Sequence, residues 1–382
     1  MFKLLRGGKV YSPEFLGYTD IFIAMGKIIN IRENIKVDNL FDVEIIDCRE
    51  KIIAPGIIDQ HLHILGGGGE GGPASRIPEV FLGDLIYAGI TTVVGVLGFD
   101  GLTRSIAGLL TKAKALQTEG INTLIYTGSY GIPTSTLTGS VTKDIAFIDK
   151  VIGAGEIAIS DYRSSHPDIR ELKQLASEVM VGSMIGKKAG ILHIHVGDGK
   201  EGLKPVTDLI NESEFPIEMF VPTHINRNKD LFEEGLEFLK IGGNIDLTAG
   251  DIGDKGYNAP EALAIIKERN LSLDRVTITS DGNGSIPCKN GEFGVGKPSM
   301  LFDDIKTSIS EERLSFEDVF KTVTINVAKL LKLYPQKGTL QEGSDADILI
   351  LEEAGLNVSS LLINGETFIK EGKQVKRGRY EA

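Results

Sequence analysis

The sequence predicts an α/β fold: a (β/α)8 TIM barrel that carries a small β-sandwich domain formed from the N- and C-terminal segments. Short apolar runs alternate with amphipathic segments through the middle of the chain, while both ends contain only short alternating runs. The 382 residues also exceed what one ordinary hydrophobic core supports. We therefore predict a barrel domain over residues 56–335 and a small domain that joins residues 1–55 to residues 336–382.

The two terminal segments are typical of strands and hairpins. Residues 20–24 alternate between polar and apolar, residues 25–27 are typical of a turn, and residues 28–31 continue as a second run. Near the other end, residues 347–351 and 361–365 have the same character. Because each piece is too small to bury a core alone, we expect the two to pair.

The middle of the chain contains eight short apolar runs that predict the strands of a barrel. They are residues 57–63, 91–97, 122–126, 156–160, 190–196, 217–224, 244–248 and 276–280. Amphipathic segments such as residues 168–180 and 231–241 lie between them. A doubly wound sheet is the alternative, but the sequence has no glycine-rich phosphate-binding fingerprint.

Composition excludes several classes of partner. The net charge of −12 disfavours nucleic acid and anionic membranes. No apolar run approaches the roughly 20 residues of a spanning helix. The first residues lack a signal-peptide pattern, and the only cysteines are Cys48 and Cys288. We therefore expect a cytoplasmic protein without a disulfide framework.

Histidines and one aspartate predict a metal site. His61 and His63 are two residues apart on a predicted strand, so both rings point to the same face. His195, His224 and Asp281 stand at the ends of other predicted strands. Because these ends build the active site of a barrel, we expect the five side chains to converge on a divalent metal.

The remaining histidines and the role of Asp281 leave alternatives. His193 shares a strand face with His195, but His195 lies nearer the turn at residues 197–199, so we expect His193 in the barrel interior. His166 lies in a predicted exposed loop. Asp281 has a structural alternative as the N-cap of a helix.

The segment APGIIDQHLH at residues 54–63 resembles the opening of the amidohydrolase superfamily barrel, and GSDADI at residues 343–348 resembles its closing signature. The glycine-rich segment GGGGEGGP at residues 66–73 is narrower and resembles the isoaspartyl (beta-aspartyl) dipeptidase family. Four further motifs do so too: TGSY (127–130), ISDYRS (159–164), PTHINR (222–227) and SDGNGS (280–285). The resemblance extends over essentially the whole chain.

The resemblance implies two zinc ions per chain, although these ligand types also suit other divalent metals. His61 and His63 would hold one ion with help from Asp281. His195 and His224 would hold the other.

The resemblance also implies a substrate-binding set. Glu70 would bind the substrate α-amino group, and Tyr130 would polarise the scissile carbonyl and stabilise the oxyanion. Arg227 and Ser285 would hold the aspartyl α-carboxylate, and Arg163 the carboxylate of the leaving residue. These residue types suit a zwitterionic dipeptide, because arginine binds carboxylates bidentately.

Two positions depart from the family pattern. The family carries a carboxylated lysine that bridges the metals at the end of the fourth strand, where this chain has Glu156. A glutamate keeps the bridging charge but is shorter, and residues 153–155 contain one extra position that would move the backbone inward. Our hypothesis is that Glu156 bridges the metals; a single-metal site is the alternative. Phe99 stands where a small hydroxyl residue would contact substrate.

The predicted reaction is hydrolysis of the isopeptide bond of beta-aspartyl dipeptides by metal-activated water. Asp281 would act first as general base and then as general acid. The alternatives are a cyclic amide hydrolase of the dihydropyrimidinase or dihydroorotase type, and a non-catalytic amidohydrolase-like binding protein. The family resemblance also implies a large homo-oligomer.

Overall fold

The computed structural model describes residues 2–37, 42–250, 255–287 and 293–381. The strands of these residues, in chain order, are β1 (Phe2–Tyr11), β2 (Phe15–Ala24), β3 (Lys27–Arg32), β4 (Val43–Asp47), β5 (Lys51–Pro55), β6 (Ile57–Leu62), β7 (Ile90–Gly95), β8 (Asn122–Thr127), β9 (Val151–Ile159), β10 (Ile191–Val196), β11 (Phe220–Thr223), β12 (Ile245–Thr248), β13 (Val276–Thr279), β14 (Ser285–Pro287), β15 (Phe293–Val295), β16 (Ile348–Glu352), β17 (Val358–Ile363), β18 (Glu366–Lys370) and β19 (Lys373–Gln374). The α-helices are α1 (Leu82–Tyr87), α2 (Ile106–Glu119), α3 (Val141–Phe147), α4 (Ile169–Gly186), α5 (Lys204–Asn211), α6 (Lys229–Lys240), α7 (Ala259–Glu268), α8 (Ser299–Ser310), α9 (Phe316–Lys321) and α10 (Ile325–Leu330).

Eight parallel strands form the central part of the fold. Six make one sheet in the order β11-β10-β9-β8-β7-β6, and β12 and β13 make a second. Backbone hydrogen bonds link the two sheets at both edges, from His63 N to Gly282 O (2.9 Å) and from Ile225 N to Asp246 O (3.2 Å). One of the helices α1 to α8 follows each strand in turn, so the predicted alternation of strands and helices is confirmed.

The strand pattern in the sequence marked the central strands well, but it missed the start of β9. This strand begins at Val151, five residues before the predicted run, and every residue in it is buried. Gly153, Ala154 and Gly155 interrupt the apolar pattern because the neighbouring strands approach too closely for larger side chains. A Cβ on Gly153 would lie 2.2 Å from Ile191 O.

Local sequence signals fix the outer helices. The side chain of Asp168 accepts hydrogen bonds from the backbone of Arg170 and Glu171, and Glu171 reaches back to form a capping box at the start of α4. Helix α4 then buries a face that includes Leu172 and Val179. It ends only at Gly186, six residues beyond the predicted segment.

Strands from both chain ends form one nine-stranded sheet, in the order β19-β18-β17-β16-β5-β1-β2-β3, with β4 paired to β1. The two ends meet where β5 pairs antiparallel with β16, with Ile53 opposite Ile350. Alternate residues of β16 enter different hydrophobic clusters: Ile348 and Ile350 pack with Leu5, while Leu349 packs in the core of the central strands. The domain boundaries and the sandwich architecture stay predictions.

None of the described helices combines the length and the apolar character needed to cross a membrane. Cys48 is buried with a free thiol, and Cys288 lies outside the described residues.

Candidate metal centre and active site

Six side chains converge at the carboxyl ends of the parallel strands. The structure brings together all of the predicted metal ligands: His61, His63, Glu156, His195, His224 and Asp281. The five residues other than Asp281 are almost wholly buried, with exposed fractions between 0% and 6%. The placement follows because the carboxyl ends of parallel strands all lie on the same side of the fold.

Glu156 lies at the centre of this group, and its two carboxylate oxygens face different histidine pairs. Oε1 lies 2.7 Å from His195 Nδ1 and 3.2 Å from His224 Nε2. Oε2 lies 3.4 Å from His61 Nε2 and 3.9 Å from His63 Nε2. The carboxylate thus lies between the two histidine pairs, where the sequence analysis placed a bridging group.

An extra residue in β9 carries Glu156 to this position. Ala154 pairs with Leu192, but Ile157 pairs with Ile194, so β9 has one more residue than β10 over this stretch. Such a bulge re-aims a side chain, and it explains how a side chain shorter than a carboxylated lysine can lie between the histidines.

Asp281 closes the site on the side of the first histidine pair. Its Oδ1 lies 3.0 Å from His63 Nε2 and 3.4 Å from His61 Nε2. Asp281 (φ 47°) and His224 (φ 64°) both adopt the left-handed backbone conformation. For non-glycine residues this conformation costs roughly 1 kcal/mol or more, and the packing around the site must hold it in place.

Unsatisfied polar atoms test whether the site fits a metal. His61 Nε2, Glu156 Oε2 and Asp281 Oδ1 are buried and make no well-directed hydrogen bond with any described residue. Buried polar atoms are normally paired, so three such atoms facing one another indicate a missing ligand. Imidazole and carboxylate are the donors that zinc and similar cations prefer. The residues therefore fit a divalent metal.

The ionisation of the ligands also suits a cation. Burial lowers the pKa of His61, but the Glu156 and Asp281 carboxylates outweigh it and raise that pKa to about 10. Burial raises the pKa of Asp281, but His63 and His61 outweigh it and lower it to about 2. Burial and the nearby Arg227 lower the pKa of His224 to about 3. At neutral pH the aspartate is thus an anion and His224 is neutral, while His61 carries a proton that a bound cation would replace.

Three of the histidines have their second ring nitrogen held by another side chain. His195 Nε2 lies 2.9 Å from Asp161 Oδ2, and His224 Nδ1 lies 2.6 Å from Thr248 Oγ1. His61 Nδ1 lies 2.9 Å from the Nε2 of a fourth histidine, His193. Partners of this kind orient metal-binding imidazoles.

The predicted substrate-binding residues lie together beside the histidines. Glu70 Oε1 accepts hydrogen bonds from Arg163 Nη1 at 2.9 Å and from Ser285 Oγ at 2.7 Å. Arg227 Nη1 lies 3.5 Å from His195 Nε2. The buried Tyr130 hydroxyl lies 2.8 Å from His195 Nδ1, the nitrogen that faces Glu156.

The comparisons identify the family. A beta-aspartyl dipeptidase from Fervidobacterium islandicum AW-1, crystallised in complex with the beta-Asp-Leu dipeptide, is 44% identical to this chain; the match covers 100% of both chains with a TM-score of 0.94. Another crystal structure of a beta-aspartyl dipeptidase from the same organism is 43% identical, again with full coverage and a TM-score of 0.93. The chain belongs to the beta-aspartyl dipeptidase family of amidohydrolases. The sequence-based prediction of a hydrolytic enzyme of this family is therefore confirmed.

A family model and two more distant proteins also match the chain. The model of the Amidohydrolase family matches residues 255–368. A dihydropyrimidinase from Brevibacillus agri NCHU1002 covers 99% of this chain and 97% of its own at 14% identity with a TM-score of 0.70, which is a likeness of fold alone. An adenine deaminase of Clostridium perfringens strain 13 is 22% identical over 99% of this chain, which spans only 60% of that protein's length.

Two groups of residues around the candidate site were assigned no role from the sequence. The first comprises Asp161, Thr248 and His193, which contact the ligand imidazoles. The segment ISDYRS contains Asp161, so its motif was visible, but sequence spacing does not reveal which ring nitrogen a neighbour contacts. Asp161 also accepts a hydrogen bond from Arg163 at 2.8 Å, so it links the metal centre to the predicted substrate-binding face.

The second group fixes the position of the glycine-rich loop at residues 66–73. The buried Arg104 donates to Gly67 O at 2.7 Å and to Ile77 O at 3.2 Å. Gly66 has φ 77°, and a Cβ there would lie 2.0 Å from Ile77 O, so only glycine fits. These contacts position the loop that carries Glu70.

Phe99 remains a departure from the family expectation. Its side chain is partly exposed, and its ring centroid lies 6.2 Å from that of Tyr130 in an edge-on arrangement. The position expected to hold a small hydroxyl residue therefore presents an aromatic ring beside Tyr130.

Proposed function

We propose that this enzyme hydrolyses the isopeptide bond of beta-aspartyl dipeptides with two divalent metal ions, and zinc is one metal that suits the ligand types. The observation that carries the proposal is the placement of Glu156, whose oxygens face the His61–His63 pair on one side and the His195–His224 pair on the other. One carboxylate between two pairs of imidazole donors is an arrangement that suits two cations.

The charges around the site support a dipeptide as substrate. A beta-aspartyl dipeptide carries one ammonium and two carboxylates, and the site offers Glu70 for the first and Arg163 and Arg227 for the others. In the structure Glu70 and Arg163 pair with each other. A zwitterionic ligand gives each of them a replacement partner of the right sign, so binding does not leave an unpaired charge.

Each step of the proposed reaction is assigned to a residue. The bound metals would supply Lewis-acid polarisation and a water of lowered pKa. Asp281, ionised at neutral pH, accepts the proton of the attacking water and later delivers it to the leaving amine. The Tyr130 hydroxyl donates a hydrogen bond to the carbonyl oxygen as negative charge develops there. Burial raises the pKa of Tyr130 well above its ordinary value, so the phenol keeps its hydrogen for this role.

A direct assay tests the proposal. Purified protein should hydrolyse beta-Asp-Leu, lose activity with a chelator and regain it on addition of zinc. The α-linked Asp-Leu isomer and dihydrouracil serve as controls for linkage and for the cyclic-amide alternative. Preference for dihydrouracil, or hydrolysis that is insensitive to complete metal removal, would overturn the proposal.

Metal analysis tests the bridge separately. The unaltered protein should hold two ions per chain, and Glu156→Gln should reduce this content, because a neutral amide is a poor bridging ligand. One ion per chain, unchanged in Glu156→Gln, would favour the single-metal alternative. If the chain is instead a non-catalytic binding protein, it should show no metal-dependent turnover, and Asp281→Asn should have no effect on turnover.

We further infer that the eight parallel strands form a closed (β/α)8 barrel over residues 56–335. The terminal strands of residues 1–55 and 336–382 would form the separate β-sandwich domain. The large homo-oligomer and the cytoplasmic location stay predictions from the sequence.

A further inference from the structure

His193 lies directly beneath the metal ligands. It stands on β10, two residues before His195, and is fully buried. Its Nε2 lies 2.9 Å from Nδ1 of His61, so one of these nitrogens donates a hydrogen and the other accepts it. The other ring nitrogen of His61, Nε2, lies 3.4 Å from Glu156 Oε2 and 3.4 Å from Asp281 Oδ1.

The direction of this hydrogen bond decides whether His61 can bind a cation. If His193 donates, His61 Nδ1 must be the acceptor and the hydrogen of the His61 ring must sit on Nε2, where it blocks the lone pair. If His61 Nδ1 donates, a cation can replace the proton on Nε2 and use the lone pair that faces the space between the two carboxylates. We propose that His193 accepts the Nδ1 hydrogen of His61 and thereby holds His61 in its metal-binding tautomer. His193 is then a positioning residue, and its role rests on the proposed metal centre.

The surroundings of His193 fix its ring for this task. The Tyr126 ring stacks on it with centroids 5.2 Å apart and planes 12° apart. On another side, Gly155 approaches so closely that a Cβ there would lie 2.7 Å from His193 Cβ. Because Gly155 precedes Glu156, the same bulge that presents the bridging carboxylate also packs against His193.

An imidazole acceptor has an electrostatic advantage here. Glu156, Asp281 and the buried Asp246 already place three carboxylates near His61. A further carboxylate as acceptor would add a fourth negative charge in a fully buried region, which is costly. His193 supplies the lone pair without that charge.

The contact is one-sided, and this gives the proposal a distinctive consequence. His193 contacts His61, whereas the second nitrogen of His224 is held by Thr248 and that of His195 by Asp161. Loss of His193 should therefore weaken the ion held by His61 and His63 and spare the other. A residue with only a structural role would weaken both ions or neither.

The test is a measurement of zinc affinity by competition with a chelator at fixed pH. In His193→Phe, one of the two ions should bind about 10- to 100-fold more weakly, with the other unchanged. His193→Gln, whose amide oxygen can accept the same hydrogen, should recover much of the lost affinity.

Two variants serve as controls. Tyr126→Phe keeps the stacked ring and removes a hydroxyl for which the described residues offer no hydrogen-bond partner, so both affinities should stay the same. Thr248→Val removes the partner of His224 and should weaken the opposite ion. Together the variants separate an effect on one imidazole from a general loss of packing.

Unchanged affinities in His193→Phe, or an equal loss of both ions, would overturn the proposal. If His193→Phe does not fold, His193→Asn replaces it, because its shorter amide falls short of His61; unchanged affinities would again overturn the idea. A single ion in the unaltered protein would refute the two-metal part of the proposed function. In that case the affinity for the single ion would test the role of His193, and an unchanged affinity in His193→Phe would refute that role as well.

Discussion

Asp281 combines two properties that a proton carrier needs. It is ionised at neutral pH, because His63 and His61 lower its pKa to about 2 against the effect of burial. It also adopts a left-handed backbone conformation immediately after β13, which turns its carboxylate toward the histidines.

We predict that Asp281→Asn retains most of the bound metal but loses turnover by a factor on the order of 10³. The amide keeps an oxygen near the ligands but cannot accept the proton of the attacking water. Metal content and kcat on beta-Asp-Leu are the measurements. The exposed Asp303 provides a matched control as Asp303→Asn. Near-native kcat in Asp281→Asn would rule out its role as the base.

At the residue scale, much of the site was predictable. His61 and His63 are visible as a pair because residues two apart share a strand face, and Asp281 is visible because it follows a strand. The roles of His193 and Thr248 were not predictable, because they depend on which ring nitrogen lies within 3 Å of which neighbour. That is a property of the assembled strands and not of local spacing.

Among the elements, β9 is the one that most directly shapes the site. Its glycines let the strand lie against β10, and its extra residue places Glu156 between the histidine pairs. The sequence predicted the extra position but placed the start of the strand too late, because glycine and alanine do not produce an apolar pattern.

Gly155→Ala should destabilise the protein by about 1–3 kcal/mol, the range for overpacking a tight interior. The added Cβ would lie 2.7 Å from His193 Cβ and 2.9 Å from His193 O, so the strands must separate. The free energy of unfolding in urea measures the effect. Gly131→Ala is the matched control, since its Cβ meets nothing within 4 Å. Equal stability of the two variants would contradict the close approach.

Helix α8 contains a carboxylate that gives the stability a dependence on pH. Burial raises the pKa of Asp304 from 3.8 to about 6, while its Oδ2 accepts a hydrogen bond from Gly250 N at 2.9 Å. Since the folded-state pKa lies above the unfolded value, this group contributes stability below about pH 4 that is lost as the pH rises through 6.

We therefore expect Asp304→Asn to raise the free energy of unfolding by about 1–2 kcal/mol at pH 8 and to change it little at pH 4. The amide oxygen still accepts the hydrogen bond from Gly250 but never ionises. Urea unfolding at the two pH values provides the comparison, with the variant of an exposed aspartate elsewhere on the surface, Asp149→Asn, expected to show no such difference. A gain at pH 4 as large as at pH 8 would refute the ionisation argument.

For the whole molecule, the proposed metal centre joins strands that are distant in sequence. The proposed metal ligands meet at one point. They come from β6, β9 and β10 and from the segments after β11 and β13, so a bound cation would connect most of the parallel strands. An ion that binds only the folded state stabilises it in proportion to the logarithm of its concentration.

Zinc at about 100 times its dissociation constant should stabilise the folded state by about 2.7 kcal/mol per site. The melting temperature of chelator-treated protein should accordingly rise by several degrees on addition of zinc, as measured by scanning calorimetry. Magnesium, which prefers oxygen ligands, is the control and should have a smaller effect. A melting temperature that no transition metal shifts would argue against a cation at this position.

The pairing of β5 with β16 has a consequence for biosynthesis. Ile53 leaves the ribosome early, but its neighbour Ile350 follows only after every ligand of the metal centre has been translated. Until then one edge of β5 lacks its strand and remains open to other chains. A polypeptide arrested before residue 348 would thus contain every proposed catalytic side chain, but it would remain prone to aggregation because one edge of β5 is unpaired.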